Sequence, residues 1–157
     1  MELHVVHFVR DLDAASGGPS RSVPALAAIQ SKMPGLEVSV VFRDRGNERV
    51  RLPDSDVLYT PVSGLTASRV KHLCVSNENA IFHLHGLWDP ILHRAARLGI
   101  SEGRPYVVST RGMLAGWALK HKALKKKIGW ALYQRRDLAA ARCVVASSPF
   151  EESWSDG

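Results

Sequence analysis

Short apolar runs alternate along this chain with longer stretches in which apolar residues recur at helical spacing. The short runs are rich in β-branched residues and predict six strands, at 3–8, 38–42, 57–60, 80–85, 106–109 and 142–147. The periodic stretches predict helices over 19–31, 65–75, 90–98 and 115–141, the last with a break near Lys122. Strands that alternate with helices predict βαβ units, so we expect an α/β fold with a Rossmann-like parallel sheet flanked by helices.

Proline, glycine and aspartate mark the predicted boundaries. Pro19 suits the first helical position, and Asp89 suits the N-cap of the helix that Gly99 is expected to close. Pro61 is expected to end the third strand. We expect one domain over 1–147, followed by a polar tail at 148–157.

Three of the predicted strands end in loops of polar or phosphate-friendly residues. In an open parallel sheet the carboxyl ends of the strands lie along one edge, and ligands bind in the crevice there. The three loops therefore predict one cleft for a polar, anionic small molecule. They are Gly17-Gly18-Pro19-Ser20-Arg21, His83-Leu84-His85-Gly86-Leu87-Trp88 and Ser109-Thr110-Arg111-Gly112-Met113.

The first loop places Gly17 and Gly18 before a predicted helix. Glycine lets a phosphate approach the backbone closely, and a helix N-terminus supplies N–H groups and positive potential. Arg21 in the first turn, with no acid beside it, also favours an anion. The alternative is a flexible loop before ordinary helix-start residues, and the GxGxxG dinucleotide fingerprint is absent.

The second loop carries two histidines and a tryptophan. We expect His83 and His85 to face opposite sides of the sheet and not to share a metal ion, and no Asp, Glu or Cys cluster completes a metal site. His85, beside Gly86, is the better candidate to reach the cleft and bond a sugar hydroxyl; the alternative is a hydrogen-bonded core histidine. Trp88 is expected to pack, with stacking on a sugar ring as the alternative.

The third loop begins with Arg111 and Gly112. Arginine offers a bidentate clamp for phosphate or carboxylate, and glycine permits a tight turn beside a ligand. The alternative for Arg111 is a surface salt bridge. The sequence contains no Ser-His-Asp arrangement, nucleophile elbow or Walker loop.

The positive charge of the chain is concentrated in one stretch. The formal net charge is +6, and the residues between Glu102 and Asp137 are free of acids. The predicted helix around 117–136 has one apolar face and one basic face, which predicts either a helix lying on an anionic membrane or a core-packed helix with a solvated basic face. Nucleic acid is disfavoured because no binding module is recognisable. The apolar face holds Leu124, Ile128, Ala131 and Leu132, and the basic face holds Lys120, Lys122, Lys125, Lys126 and Lys127.

Composition places the chain among globular proteins. Of its 157 residues, 45% are hydrophobic and 23% are charged, and no run is long and apolar enough to predict a membrane span or a signal peptide. Cys74 and Cys143 lie in apolar surroundings without metal-ligand spacing. We expect both to be reduced core thiols in a cytoplasmic protein.

Taken together, these motifs resemble the N-terminal half of family 4 glycosyltransferases, and most of all bacterial enzymes that build capsule, exopolysaccharide or O-antigen chains. The matching segments are Gly-Gly-Pro-Ser-Arg-Ser-Val, His-Leu-His-Gly-Leu-Trp and Ser-Thr-Arg-Gly-Met-Leu after three strands, with Lys-Lys-Lys-Ile…Leu-Tyr-Gln-Arg-Arg-Asp-Leu at 125–138. The resemblance covers about residues 1–147.

The resemblance implies a GT-B architecture, in which two Rossmann-like domains face each other across a cleft. The N-terminal domain mainly binds the acceptor, and the C-terminal domain binds most of the nucleotide sugar and carries a Glu-x7-Glu signature. It implies retaining transfer from a nucleotide-sugar donor to a glycan or lipid-linked acceptor, at the inner membrane, without a metal or a cofactor. Gly17 and Gly18 would approach the donor diphosphate, and the basic helix would meet the membrane. The residues implied on the acceptor side are Arg21, His85, Trp88, Arg111 and Gly112.

Departures from the family pattern bear on activity. Thr110 stands where many relatives have proline, and the tail after Ala146 differs from the usual Thr-Ser-Glu continuation. The C-terminal donor-binding domain is missing from this chain, so we expect little or no transfer from it alone and a C-terminal partner domain beside it. The alternative is a stand-alone, non-catalytic binding module for a phosphorylated ligand or a partner domain.

Overall fold

The computed structural model describes residues 2–62, 79–114 and 128–147. Its six strands form one parallel sheet in the order β3-β2-β1-β4-β5-β6, which confirms the predicted α/β, Rossmann-like arrangement. The strands are β1 Leu3–Val9, β2 Leu36–Arg43, β3 Leu58–Val62, β4 Ala80–His85, β5 Tyr106–Ser109 and β6 Cys143–Val145.

Two helices of the described chain connect strands of the sheet. Helix α1 spans Pro19–Gln30 and helix α2 spans Pro90–Ser101. A π-helical turn at Trp130–Gln134 continues into helix α3, Arg135–Ala140. The predicted helix at 65–75, most of the first half of the one predicted at 115–141, and the predicted tail lie outside the described residues.

The helices cover opposite faces of the sheet. On one face Val23 and Ala27 of α1 pack against β2 residues such as Val40. On the other face Ile91 and Ala95 of α2 join a larger cluster that includes Phe82. Both clusters are fully or almost fully withdrawn from water, so the sheet is buried on both sides at its centre.

Several predicted boundaries differ from the structure by one to three residues, and two of the differences have a clear physical reason. Strand β3 continues through Pro61, which a strand at the edge of a sheet tolerates because its other side needs no N–H donor. Helix α2 runs past Gly99 to Ser101. Glycine is needed at 99 because a Cβ there would lie 3.0 Å from the Tyr106 ring and 3.2 Å from the Arg104 carbonyl oxygen. Gly99 therefore lets the helix approach the sheet and does not end it.

Cys143 is exposed on edge strand β6, which contradicts the expected core thiol, while Cys74 lies outside the described residues. The apolar neighbours of Cys143 in sequence, Val144 and Val145, are themselves 44% and 43% exposed. An apolar run therefore did not mark a buried strand here. Within the described parts of the chain, no helix is long and apolar enough to cross a membrane.

Candidate functional site

The candidate site lies where the strand order reverses, between β1 and β4. Strands β1 and β4 are neighbours in the sheet, while their following strands, β2 and β5, lie on opposite sides of the pair. In register, Val9 pairs with His85 and His85 with Ser109, so the three strands end in one row. The loops that follow diverge from this row and open a crevice, the usual ligand site of such sheets.

The loop after β1 forms one wall of the crevice. Gly17 lines a cavity of about 370 Å³ together with Arg10, Asp11 and His85. Arg10 donates to the Asp11 carboxylate at 2.9 Å, and Arg45 lies 3.5 Å from the same oxygen. Burial would raise the pKa of Asp11, but bonds from Ser16 and Arg10 and the Arg10 charge outweigh it and lower the pKa. The cavity wall thus combines guanidinium groups with an ionised carboxylate.

Gly17 and Gly18 are the glycines of this wall, and neither is required by packing. A Cβ built on either one would meet nothing within 4 Å. Gly18 is the N-cap of α1 with φ −45° and ψ −45°, an ordinary helical conformation. The space beside both residues is therefore open to a ligand, as the predicted approach of a phosphate requires.

Arg21 takes a different part from the predicted one. Its guanidinium donates to the Ala14 carbonyl at 2.8 Å and to the Ser16 carbonyl at 3.3 Å. It braces the β1–α1 loop from the exposed side and is not among the residues that line the cavity.

His83 and His85 lie on the same face of the sheet, which contradicts the expected opposite faces. Their ring centroids are 4.0 Å apart. The side-chain direction in a strand repeats every two residues, so positions 83 and 85 must share a face. The parallel register adds His7 of β1 directly beside His83.

His7 and His85 are buried under the crevice and bonded to each other, and the half-buried His83 lies beside them in one cluster. His7 and His85 are 0% and 2% exposed. Burial, reinforced by the neighbouring rings and Arg111, lowers the pKa of His85, and burial lowers the pKa values of His7 and His83 to about 4. The rings are therefore neutral at pH 7. The nitrogen contacts are His7 to Gln30 at 2.7 Å, and His7 to His85, His85 to Arg111 and His83 to Ser109 at 2.8 Å each.

Neutral imidazoles are metal ligands, so we asked whether this cluster could bind a metal ion, which the sequence analysis did not expect. Ligand nitrogens of His7, His83 and His85 lie within 4.8 Å of one another. However, the Arg111 guanidinium occupies the Nδ1 side of His85, and a fixed positive charge opposes a bound cation. The cluster is the set of side chains that could hold a metal, and its present bonds favour a hydrogen-bonded network.

Arg111 reaches back from the β5 loop to this network. It bonds the His85 ring, and its Nη1 lies 3.5 Å from Ser22 Oγ of α1; among the residues that the structure describes, no acid pairs with it as the surface salt-bridge alternative would require. Burial lowers the pKa of the guanidinium, which stays cationic at pH 7. Arg111 thus ties the ends of β4 and β5 to the first turns of α1.

The backbone is left-handed at two of the predicted site residues. Arg111 has φ 55° and Trp88 has φ 65°, and they are the non-glycine residues with positive φ in the described ranges. Gly112 follows with φ 77°, as a tight turn requires. Non-glycine residues in this region cost free energy and are concentrated at ligand sites, so both loops have the character expected of a site.

Trp88 packs, as expected, while one side faces a second cavity. Its ring lies 6.2 Å from that of Trp130, and its backbone N–H donates to Gln134 Oε1 at 2.9 Å. Together with Arg10 and His85 it lines a cavity of about 250 Å³. Since His85 and Arg10 also line the larger cavity, the two spaces adjoin.

Three residues of the site were missed by the sequence reasoning: His7, Arg10 and Asp11. Arg10 and Asp11 directly follow β1, so their place at the carboxyl edge was a usable signal. His7 lies inside an apolar strand, and only the register between β1 and β4 brings it to His83. The one available signal for His7 was a polar residue within a buried strand, on the strand that pairs with the one carrying His83 and His85.

The segment after residue 127 does not bury the apolar face that the core-packed alternative predicted. Ile128 is 52% and Leu132 is 68% exposed, whereas Gln134 and Asp137 are buried. Asp137 accepts from His93 of α2 at 2.8 Å, and Gln134 accepts from the Trp88 N–H in the loop after β4. Polar contacts therefore hold this segment against α2 and that loop. The predicted basic side chains, from Lys120 to Lys127, lie outside the described residues.

We compared the chain with protein-family models and with curated proteins. No family model matches it, and no curated protein matches it.

Chemically, the crevice offers cationic and neutral hydrogen-bonding groups at one edge. Arg10 and His85 line the cavity and supply a positive charge and a neutral imidazole, Arg111 adds a positive charge behind His85, and Gly17 leaves the backbone accessible. These groups are suited to an anion that also carries hydroxyl groups.

Proposed function

We propose that this chain is the acceptor-side, N-terminal half of a retaining glycosyltransferase that transfers a sugar from a nucleotide-sugar donor to a glycan or lipid-linked acceptor. The observation that carries the proposal is a cavity at the switch point of the sheet that Gly17 and His85 line, with the Arg111 guanidinium bonded to His85. A C-terminal partner domain would complete the donor site, and this chain alone would have little or no activity.

The roles follow from the chemistry of the groups. A departing nucleoside diphosphate gathers negative charge, and preorganised donors aimed at that charge stabilise it. The open space at Gly17 would admit the diphosphate, and the guanidinium of Arg111 would face it. The neutral His85 ring, which lines the cavity, would lie against the acceptor sugar while it keeps its bond from Arg111.

Calorimetric titration of this chain with UDP, GDP, ADP and inorganic pyrophosphate tests the site. We expect weak binding of at least one diphosphate, and a loss of about tenfold or more for Arg111→Ala, because one charge-assisted contact is worth at least about 1.4 kcal/mol. Gly17→Val fills the open space and should have a similar effect. Arg142→Ala is the matched control. Arg142 is exposed and precedes β6, so it lies at the amino ends of the strands, away from the crevice at their carboxyl ends.

Equal binding by wild type, Arg111→Ala and Gly17→Val would reject the site. Sequencing the coding DNA beyond Gly157 then tests the reaction. A second Rossmann-like domain with Glu-x7-Glu, in frame or in a neighbouring gene, supports transfer. Diphosphate binding without such a domain would favour the stand-alone binding module instead.

We also propose that the face carrying Ile128 and Leu132 meets an anionic membrane surface. Both side chains are more than half exposed, and Leu132 lines a shallow cavity of about 390 Å³ with Ile100, Arg97 and Arg136. Exposed apolar side chains among cationic ones are typical of interfacial binding. A lipid-linked acceptor would be reached at such a surface.

A further inference from the structure

A continuous chain of four side chains runs from helix α1 to the crevice. It begins at Gln30, passes through His7 and His85 and ends at Arg111, with contacts of 2.7, 2.8 and 2.8 Å. His7 is fully buried on β1, two strands from β5 and the loop that carries Arg111. It is therefore too deep to touch a ligand in the crevice, yet it is bonded to a residue that lines it.

The direction of the chain follows from the chemistry at one end. A guanidinium has only donors, so Arg111 must donate to His85 Nδ1, and that nitrogen must carry a lone pair. The proton of neutral His85 is then on Nε2, which donates to His7 Nδ1. The proton of His7 is in turn on Nε2, which donates to Gln30 Oε1. Every ring nitrogen of both histidines is thereby satisfied.

We infer that His7 is a positioning residue for the crevice: by accepting from His85 Nε2 it holds His85 in the tautomer whose Nδ1 receives Arg111, and so holds the Arg111 guanidinium at the site. The burial that lowers the pKa values of both histidines agrees with two neutral rings. Opposite tautomers would set two N–H groups against each other at Arg111. The consequence for ligand binding rests on the proposed function, whereas the tautomers do not.

Two-bond ¹H–¹⁵N spectra of the ¹⁵N-labelled chain at pH 7 test the inference directly. We expect both His7 and His85 to have a protonated Nε2 and an unprotonated Nδ1. In Arg111→Ala the acceptor on His7 remains, so His85 should stay protonated at Nε2. A wild-type His85 protonated at Nδ1, or a mixture of His85 tautomers in Arg111→Ala, would overturn the inference.

A matched pair of variants tests the coupling to the site. In His7→Asn the side-chain carbonyl can still accept from His85, whereas His7→Phe has similar bulk and no acceptor. With inorganic pyrophosphate as the probe, we expect His7→Phe to lose about tenfold in affinity and His7→Asn to stay close to wild type, since only the former removes the acceptor that holds His85 toward Arg111. Equal affinities for folded His7→Phe and wild type would contradict the positioning role.

The outcomes separate this inference from the proposed function. If wild type binds no diphosphate, the proposed site fails, while the tautomer spectra still decide the hydrogen-bonded chain. If His7→Phe does not fold, the wild-type and Arg111→Ala spectra carry the test. Addition of Zn²⁺ at equimolar concentration should leave the spectra unchanged; Zn²⁺ that shifts all three rings, and is reversed by a chelator, would replace the inference with a metal site.

Discussion

At the scale of single residues, the loops of the candidate site differ in what their glycines must do. Gly18 has helical dihedral angles and Gly112 has φ 77°, while neither has an atom within 4 Å of a built Cβ. Space is therefore equal at the two positions, and only the backbone conformation separates them. Substitution at these two glycines therefore measures the effect of backbone conformation on stability without a steric contribution.

We expect alanine to act with opposite signs at these glycines. Gly18→Ala should raise the free energy of unfolding by about 0.4–1 kcal/mol, since alanine restricts the unfolded chain at no cost in the folded one. Gly112→Ala should lower it by about 1–2 kcal/mol, the cost of a left-handed conformation for an L-residue. Urea denaturation at pH 7 measures both. The same sign for the two variants would contradict the backbone argument.

Protonation of the buried histidines should make the fold acid-sensitive. Burial holds the pKa values of His7 and His83 at about 4, below the 6.5 of an unperturbed histidine. The unfolded chain therefore binds more protons between these values, and stability is fully present above pH 6.5 and is lost as pH falls toward 4. Each histidine adds a slope of up to about 1.4 kcal/mol per pH unit.

Urea denaturation between pH 7.5 and about pH 5, above most carboxylate titrations, measures that slope. His7→Asn removes one titrating ring and should flatten the slope by about one histidine's share. A wild-type stability that rises as pH falls from 7 would contradict the buried, neutral cluster.

At the scale of elements, helix α2 is held at its N-terminus by one side chain with two tasks. Asp89 accepts from the Ile91 N–H at 3.0 Å, as the N-cap position predicts, and from Arg43 of β2 at 2.9 Å. The cap follows from local sequence, whereas the contact with Arg43 depends on the neighbouring strands. Asp89 thus ties the start of α2 to the end of β2.

The two tasks of Asp89 can be separated by substitution. Asp89→Asn keeps a capping oxygen and loses the charge, and Asp89→Ala loses both. We expect Asp89→Ala to cost about 1 kcal/mol more than Asp89→Asn, the usual worth of an N-cap. Thermal or urea unfolding of both variants measures the difference. Equal destabilisation by the two substitutions would mean that the ion pair with Arg43, and not the cap, dominates.

At the scale of the whole molecule, the two outer faces of the protein each carry an exposed apolar side chain but differ in the charges around it. Leu132 and Ile29 are almost equally exposed, at 68% and 67%, but they lie on elements that cover opposite faces of the sheet. Of the two side chains, Leu132 is the one that lines a cavity together with Arg97 and Arg136. This pair offers a matched test of the proposed membrane face.

We expect this chain to sediment with phosphatidylglycerol vesicles and not with phosphatidylcholine vesicles, and added salt should release it because the attraction is electrostatic. Leu132→Gln should weaken the binding several-fold, since it removes most of the apolar contribution of one side chain. Ile29→Gln is the control and should bind as wild type does. Equal losses for both variants would indicate non-specific adsorption.

The sequence by itself determined the elements whose signals are local. Strand β4 and the Asp89-capped start of helix α2 are as predicted, because apolar periodicity and capping act within a few residues. Three polar loops at one sheet edge followed from the parallel arrangement. The shared face of His83 and His85 was equally within reach, since side chains of a strand repeat every two residues.

Only the tertiary structure decided which residues meet across the elements. The register of β1 against β4 sets His7 beside His83, and the turn after β5 brings Arg111 to His85. The burial of Gln134 in place of Leu132 depends on a polar contact with Trp88, 46 residues away. Strand register and long-range polar contacts link distant positions, and no local pattern encodes them.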